Sequence, residues 1–314
     1  MANNISIETI VNQLKLHTID FEIIENTTWA TNYKFASIKN VISQGIYFFE
    51  DVSIVANFPI ENSIIIASEA FETHNNLIIV SNPQLVHYLI NAGINTVKLV
   101  GISPSSKIDP QAQIGINVYI GENCVIGNCI LEDDVVIKHN VVVEDNVIIK
   151  KNAFIDSNSV IGAAGLAWIW DANGNRIIQP QLGGVIIGED CILATDVTIV
   201  RGSLSENTSI GKGTVIAHGT KIGHGAIVKE HVHMANNVSL AGNAVIGERT
   251  FLGSACVVSS NIKVADNCII GAGAVVNKTV DESFVTLAGV PAKIIKRANF
   301  ENKPNGAPKP FKQN

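Results

Sequence analysis

A six-residue repeat of aliphatic residues constrains this chain more than any other feature of its sequence. From residue 204 to residue 276 every sixth residue is Leu, Ile, Val or Met: Leu204, Ile210, Ile216, Ile222, Val228, Met234, Leu240, Ile246, Leu252, Val258, Val264, Ile270 and Val276. Neither an α-helix nor a β-strand has this period. A fixed short period is typical of a solenoid, and a period of six predicts a parallel β-helix in which each hexad forms one face of a prism.

The remaining positions of each hexad agree with this interpretation. The fourth residue after the aliphatic one is small or apolar, as at Ala226, Val232 and Cys256, and would fill the prism interior. Gly, Asn, Asp and Lys stand between these positions and would form corners or face water. Hexads also run from residue 108 to 161, with a one-residue slip before Leu131, and resume at Ile187.

The repeat divides the chain into three parts. Residues 1–102 have no hexads and alternate helical and strand patterns, which predicts a small α/β domain. Residues 103–285 form the predicted β-helix, and residues 286–314 a C-terminal tail. An inserted loop at 162–184 carries Trp168 and Trp170, which would either line an acyl or sugar pocket or pack against a neighbouring subunit.

Composition excludes several classes of protein. The net charge is -6 and no basic cluster interrupts the chain, so a nucleic acid partner is not expected. No signal peptide and no apolar run of roughly 18 residues is present, which predicts a cytoplasmic protein without a membrane span. Four of the five cysteines occupy the small interior position and Cys129 does not, which favours structural thiols over disulfides or a zinc motif.

The repeat also predicts which residues lie close together. Three hexads form one coil, so residues eighteen apart should stack at about 4.8 Å, the spacing of neighbouring strands. Glu206, His224 and Gly242 would then form one outward column. By the same count, His218 and Asn236 would lie near Arg201 on a neighbouring face, where they are candidate substrate contacts.

The Glu206–His224–Gly242 column suits the acylation of an amine. His224 would act as general base, Glu206 would fix its tautomer, and the Gly242 amide would face the oxyanion that develops on a thioester. No Ser or Cys stands in the column as a nucleophile, so direct transfer without an acyl-enzyme is expected. A zinc site would need three imidazoles; His218 and His224 are two, and no third has the right position, so no metal is predicted.

Longer segments of the chain resemble a known family. VIGAAGLAWIWDANGNRIIQPQLGGVIIGEDC, TIVRGSLSENTSIGKGTVI and KIGHGAIV resemble the UDP-3-O-acylglucosamine N-acyltransferases of lipid A biosynthesis, and HMANNVSLAG resembles the related UDP-N-acetylglucosamine O-acyltransferases. The resemblance implies a left-handed β-helix and a homotrimer with active sites between subunits. It extends to residues 1–102, which look like the nucleotide-binding domain that precedes the β-helix in that family. It also implies His224 as the catalytic base, Gly242 as the oxyanion amide and Phe48 as the aromatic residue that stacks on a uracil base.

The chain departs from that family at several positions. Val200 and Gly225 replace polar residues of the family, and the segment that supplies the partner of Phe48 is missing. The ending LAGVPAKIIKR resembles acyl-CoA-dependent hexapeptide acyltransferases instead. The sequence therefore predicts an N-acyltransferase that moves an acetyl or short 3-hydroxyacyl group from acyl-CoA, with no bound cofactor, to a dTDP- or UDP-linked amino deoxysugar for surface polysaccharide. The alternative is the lipid A enzyme itself, with acyl carrier protein as donor.

Overall fold

The computed structural model describes residues 5–95 and 99–297. The chain divides into two compact units, Met1–Lys98 and Leu99–Asn314, which are described separately below. The repeat predicts this division at residue 102, four residues after the end of the first unit at Lys98.

The first unit is an α/β domain built on one sheet. Its elements are α1 (Ile7–Leu16), β1 (Glu22–Ile24), β2 (Lys34–Phe35), β3 (Gly45–Phe49), a 3-10 helix (Val52–Asn57), β4 (Ile64–Ala67), β5 (Asn76–Ile79) and α2 (Pro83–Asn95). The strands lie in the order β1-β5-β4-β3-β2, and all neighbours are parallel except β1 and β5. Neither of the two described α-helices is long and apolar enough to cross a membrane.

Alternation of side chains along the strands gives this sheet a core on each face. Ile64 and Ile66 pack with Ile10 of α1 and Ile90 of α2. Ile65 points to the opposite face, where a second cluster includes the 3-10 helix. The short strands and the two amphipathic helices therefore form a separate domain with its own core.

The second unit is a parallel β-helix with three sheets. The first sheet contains Lys107–Ile108, Val125–Ile126, Val142–Val143, Val160–Ala163, Thr198–Val200, Lys221–Ile222, Ser239–Leu240, Val257–Val258 and Val275–Val276. The second contains Gln113–Ile114, Ile130–Leu131, Val147–Ile149, Val185–Ile187, Thr208–Ile210, Ile227–Val228, Val245–Ile246 and Lys263–Val264. The third contains Gly101–Ile102, Tyr119–Ile120, Val136–Ile137, Phe154–Ile155, Ile192–Leu193, Val215–Ile216, His233–Met234, Phe251–Leu252, Ile269–Ile270, Val285–Ala288 and Lys293–Arg297.

The interior of the β-helix follows the sequence pattern. The hexad aliphatics from Ile210 to Val276 are all buried, and the small residues at the fourth position lie beside them. Buried threonines at that position form hydrogen bonds between coils: Thr214 Oγ1 donates to the Lys229 carbonyl (3.1 Å) and accepts from the Val232 N–H (3.3 Å). Each buried hydroxyl is thereby paired, which removes the cost of burying it.

The stacking distance along the chain is not always eighteen residues. Ile222 pairs with Leu240, eighteen residues later, but Ile199 pairs with Ile222, which is 23 residues later. The five additional residues lie in a loop from 201 to 207, between the strands Thr198–Val200 and Thr208–Ile210. Leu204, expected to be an interior hexad residue, lies in this loop and is 51% exposed. The expectation was wrong because the repeat is interrupted there.

The β-helix extends beyond the bounds expected from the sequence. It begins with Gly101–Ile102, which pairs with Tyr119–Ile120, so it includes residues assigned above to the α/β domain. At the other end, Val285–Ala288 pairs in parallel with Ile269–Ile270 and in antiparallel with Lys293–Arg297. Residues 286–297 of the expected tail are therefore part of the third sheet, and residues 298–314 lie outside the described part.

The five cysteines are buried and unpaired. Cys129 is no exception, because the one-residue slip moves it to the position two residues before the interior Leu131, the same offset as Cys124 from Ile126. Burial raises the pKa of Cys129 and Cys256 to about 12 and that of Cys191 to about 11. These thiols are structural.

We expect no reaction of the folded protein with a thiol reagent such as Ellman's reagent at pH 8. The reagent requires an accessible thiolate, and burial removes access to all five thiols. At Cys129, Cys191, Cys256 and Cys268 the raised pKa also disfavours the thiolate. In denaturant all five cysteines should react. Rapid reaction of one or more thiols in the native state, measured by release of the coloured product, would contradict the burial described here.

Candidate active site

His224 stands in the turn that follows the strand Lys221–Ile222 and is half-buried. The pairing of Ile222 with Leu240 above and Ile199 below defines its column. The outward residue of each coil is the second one after its paired aliphatic residue. This residue is Arg201 after Ile199, His224 after Ile222 and Gly242 after Leu240. His224 therefore stacks between Gly242 and Arg201. The expected neighbour on the Arg201 side was Glu206, and the five-residue insertion explains the difference.

The loop at 201–207 supplies the partner of the His224 ring. Ser203 Oγ lies 3.0 Å from His224 Nδ1. Ser203 reaches the ring from outside the column of stacked residues, a contact that counting along the repeat did not predict. Such a hydrogen bond at one ring nitrogen sets which nitrogen carries the proton and how the ring is oriented.

Glu206 acts on this arrangement through the backbone of the loop. Its carboxylate accepts from the N–H groups of Ser203 (2.6 Å) and Leu204 (3.1 Å). Backbone N–H groups, first its own and then those of Ser203 and Leu204, hold the pKa of Glu206 below its usual value, and a charge on His224 lowers it further. Glu206 thus remains ionised near the imidazole and anchors the residue that contacts it, instead of contacting Nδ1 itself.

Gly242 lies directly against the His224 ring. A Cβ atom at this position would be 2.3 Å from His224 Nε2 and 2.7 Å from Cε1, so any side chain would displace the ring. Within the described residues the Gly242 N–H donates to no protein acceptor. Glu248 has the same position in the next hexad, two residues after Ile246, and its N–H donates to Asp266 Oδ1 at 2.9 Å. The Gly242 amide is therefore a free donor beside the imidazole.

A second imidazole lies one face away in the same coil. His218 is exposed, and its Nδ1 lies 2.8 Å from Thr195 Oγ1. The pairings of Leu193, Ile216 and Met234 place Thr195, His218 and Asn236 in one column, because each is the second residue after its aliphatic. His218 and Asn236 are therefore neighbours, as the repeat predicted. Arg201 is not their neighbour, since it belongs to the column of His224.

The inserted segment forms a β-hairpin. Its strands are Ala167–Trp170 and Arg176–Gln179, and the antiparallel pairing places Trp168 and Trp170 on one face with Arg176. The two indole rings are 4.9 Å apart between centroids and meet edge to face. Both are about half exposed, at 48% and 54%.

The base of this hairpin is attached to the loop that contacts His224. The Leu182 N–H donates to the Ser203 carbonyl and the Gly183 N–H to that of Gly202, both at 3.1 Å. Arg201 binds the start of the inserted segment, because its Nε donates to the Gly162 carbonyl at 2.8 Å. Its Nη2 donates to the Asp145 carbonyl, also at 2.8 Å. The two interruptions of the repeat therefore meet at one corner of the β-helix, next to His224.

Phe48, the predicted contact of a nucleotide base, lies beside the helix α2. It is partly buried in the α/β domain, where its ring lies 4.9 Å from that of His87 and 6.5 Å from that of Tyr88, both in α2. Burial lowers the pKa of His87. The same domain has a cavity of about 740 Å³ lined by residues from 26–27, 52–62 and 71–75. Phe48 is not among its lining residues, so its assignment to a nucleotide base stays a prediction.

Among residues 5–95 and 99–297, no three His, Cys, Asp or Glu side chains are grouped so as to hold a metal ion. His218 and His224 use Nδ1 for hydroxyl partners.

Comparisons with known proteins agree with the repeat. Residues 243–278 match the family model described as bacterial transferase hexapeptide (six repeats), and residues 111–145 match the hexapeptide repeat of succinyl-transferase. No curated protein sequence matches the chain significantly.

Solved structures of similar fold include UDP-N-acetylglucosamine acyltransferases. LpxA from Acinetobacter baumannii is 26% identical with a TM-score of 0.55, over 62% of this chain and 72% of its own. The UDP-N-acetylglucosamine O-acyltransferase (LpxA) from Moraxella catarrhalis is 26% identical with a TM-score of 0.56, over 62% and 73%. The Bacteroides fragilis enzyme, at 22% identity and a TM-score of 0.56 over 62% and 73%, shares the fold.

The chain is an acyltransferase, and parts of its β-helix match the two hexapeptide-repeat models. Its fold is the left-handed parallel β-helix that the resemblance implied. Sequence reasoning missed Ser203 in the candidate site of this acyltransferase and placed Arg201 in the wrong column. The signal was present in the spacing, because Ile199 and Ile210 are eleven residues apart and cannot belong to consecutive hexads.

We expect Ser203→Ala to change the tautomer of His224 in this acyltransferase. Loss of the hydroxyl leaves Nδ1 without the partner that sets the proton position. The ¹⁵N chemical shifts of the two ring nitrogens report the change directly, and Ser203→Thr should restore the wild-type shifts. Thr195→Val is the matched control, since it removes the same contact from His218 and should leave the His224 signals unchanged. Unchanged signals in Ser203→Ala would contradict the assignment.

We expect Gly242→Ala to destabilise the acyltransferase because the new methyl group overlaps the His224 ring. Overpacking of this kind costs about 1–3 kcal/mol of unfolding free energy, measured by urea denaturation. The same substitution in a His224→Ala background should cost much less, because the ring is gone. Equal costs in the two backgrounds would show that the glycine is required for a reason other than the imidazole.

Proposed function

We propose that this acyltransferase acylates the amine of a nucleotide-linked amino deoxysugar. The acceptor is a dTDP- or UDP-linked sugar, the acyl group is acetyl or a short 3-hydroxyacyl group, the donor is acyl-CoA, and the product serves surface polysaccharide synthesis in the cytoplasm. The observation that carries the proposal is the contact of His224 Nε2 with Gly242, while Nδ1 is held by Ser203. A base and a free amide donor at one point are what acyl transfer to an amine requires.

The proposed reaction follows from the two edges of the ring. With Nδ1–H donated to Ser203, the Nε2 lone pair accepts a proton from the amine as its nitrogen attacks the thioester carbonyl. The Gly242 N–H donates to the carbonyl oxygen while it carries negative charge. Collapse breaks the C–S bond, and the proton on Nε2 passes to the departing thiolate, so His224 returns to its neutral form and CoA leaves as the thiol.

Direct transfer is supported by the position of Ser203. Its Oγ contacts Nδ1, whereas Gly242 lies against Nε2, on the other side of the ring. An oxyanion formed by attack of Ser203 would therefore be remote from the free amide. Ser203 is accordingly proposed as a positioning residue, and no acyl-enzyme is proposed.

The choice of acyl-CoA rests on the C-terminal segment. LAGVPAKIIKR, residues 287–297, resembles the ending of CoA-dependent hexapeptide acyltransferases and forms the last two strands of the third sheet. We also propose a homotrimer with sites between subunits, as the family resemblance implies. Exposure of Ile227, which is 44% exposed three residues after His224, supports a second chain covering this face.

The second candidate function is the N-acylation of a UDP-3-O-acylglucosamine with acyl carrier protein as donor. It is favoured by the resemblance of the hairpin segment to that family and by the UDP-N-acetylglucosamine acyltransferases among similar structures. The two functions differ in donor and in acceptor, so one assay distinguishes them.

That assay measures thiol release from acetyl-CoA and 3-hydroxybutyryl-CoA in the presence of a panel of dTDP- and UDP-linked amino sugars. We expect release with a CoA ester and one of these sugars. If all CoA esters are inert while 3-hydroxyacyl carrier protein reacts with a UDP-acylglucosamine, the second candidate is correct and the proposed donor is wrong.

We expect His224→Ala to lower turnover roughly 100-fold or more, the usual contribution of general base catalysis. His218→Ala is the comparison variant, because His218 also has a hydroxyl at Nδ1 but lies in a different column. As a candidate substrate contact, His218 should affect KM, and its loss should leave kcat largely unchanged. Circular dichroism and sedimentation should show that both variants keep the native fold and assembly. Full turnover in His224→Ala with loss in His218→Ala would transfer the proposed role to His218.

A further inference from the structure

The hairpin presents a preorganised cation on an aromatic surface. The Arg176 guanidinium carbon lies 5.3 Å from the centroid of the Trp168 ring and 5.5 Å from that of Trp170. Stacking on two rings restricts a side chain that would otherwise be flexible and directs its N–H groups. All three side chains are exposed. We refer to Trp168, Trp170 and Arg176 as the Trp–Arg face.

No carboxylate neutralises this cation within the part of the chain that the structure describes. The nearest acidic residue along the strand, Asp171, accepts hydrogen bonds from the N–H groups of Asn173 and Asn175, both at 2.8 Å, and so closes the turn of the hairpin. These contacts, first those with Asn175, lower the pKa of Asp171. The Asp171 carboxylate therefore bonds within the turn and does not pair with Arg176.

Three cations on the nearby coils have partners. Lys212 pairs with Glu189 at 2.7 Å, and Lys221 pairs with Asp196 at 3.0 Å. Arg201 donates hydrogen bonds to two backbone carbonyls. In a chain of net charge -6, an exposed guanidinium held in place without an acidic partner is suited to bind an anion from solution.

The Trp–Arg face is coupled to the candidate active site through the base of the hairpin. Leu182 and Gly183, three and four residues after the second strand, bond to the backbone of Ser203 and Gly202. Gln181 is buried at the base of the hairpin, with 9% of its surface exposed, and packs against Gly165. A Cβ atom at Gly165 would lie 3.1 Å from Gln181 Oε1. The hairpin is therefore fixed to the loop that contacts His224.

We propose that the Trp–Arg face binds the nucleotide part of a substrate, with an indole stacked on the base and Arg176 bonded to a phosphate. This inference rests on the proposed function, in which both substrates contain a base and a diphosphate. The indoles suit a base because every base has an aromatic face. Guanidinium suits phosphate because its N–H groups form two parallel hydrogen bonds to it. The source is either the CoA donor or the sugar nucleotide.

The test uses the intrinsic fluorescence of the full chain. Two of its three tryptophans, Trp168 and Trp170, are in the hairpin, and the third is Trp29. Titration with adenosine 3′,5′-bisphosphate, UDP and dTDP should give saturable quenching with at least one of them. Quenching by the adenosine compound alone identifies the CoA donor as the source, and quenching by UDP or dTDP identifies the acceptor. Trp29→Phe should retain the signal.

Arg176→Gln should raise the dissociation constant about 10-fold or more, and Arg176→Lys should raise it less. Arg249→Gln is the matched control, because it removes one positive charge from an exposed arginine paired with Glu248. It should bind as the wild type does. Absence of saturable quenching by all three compounds, or the same constant in Arg176→Gln, overturns the inference. Arg176 and Arg249 are both exposed, so the variants should fold. Circular dichroism checks this.

Activity separates this inference from the proposed function. If nucleotide binding depends on Arg176 but no acyl donor and sugar react, the binding site stands and the proposed function fails. If transfer occurs and Arg176→Gln leaves the KM values of both substrates unchanged, the function stands and the nucleotide site is wrong. A rise in one KM with kcat retained supports both and identifies the substrate held by the hairpin.

Discussion

Backbone hydrogen bonds between successive coils are the constraint on which this structure depends. The Gly223 N–H donates to the Leu240 carbonyl at 2.7 Å, and the Ala241 N–H donates to the Val258 carbonyl at 2.9 Å, one coil further on. Because these bonds fix the register of each strand on the next, every outward side chain has a defined neighbour in the adjacent coil. Chemistry on this fold is therefore built from columns of stacked residues.

The same bonds explain where the fold accepts additional residues. Strands must remain in register, but a corner can be extended without disturbing the pairs on either side. The hairpin between Ile161 and Val185 and the loop at 201–207 are both extensions of this kind. They meet through Leu182 and Gly183, and the second one reaches His224 through Ser203. The candidate site is thus located where the repeat is broken, next to coils where it is not.

Two hydroxyl–imidazole pairs on neighbouring faces show how local context separates similar groups. Thr195 and His218 form one pair and Ser203 and His224 the other. His218 is exposed, and the residue above it in its column, Asn236, carries a side chain. Above His224, Gly242 leaves room for the ring and offers a free N–H. The residue in the next coil, Asn236 for His218 and Gly242 for His224, therefore distinguishes the surface histidine from the candidate base.

The sequence by itself determined the period, and the period determined the β-helix, its buried aliphatic residues and the stacking of His224 with Gly242. That stacking is predictable because no residue is inserted between Ile222 and Leu240, so counting eighteen is correct there. The tertiary structure alone decided what lies on the other side of the imidazole. Ser203 contacts Nδ1, the role expected of Glu206, because the loop at 201–207 is irregular and has no period to count. Bonds from Leu182 and Gly183, at the base of the hairpin, hold this loop in place.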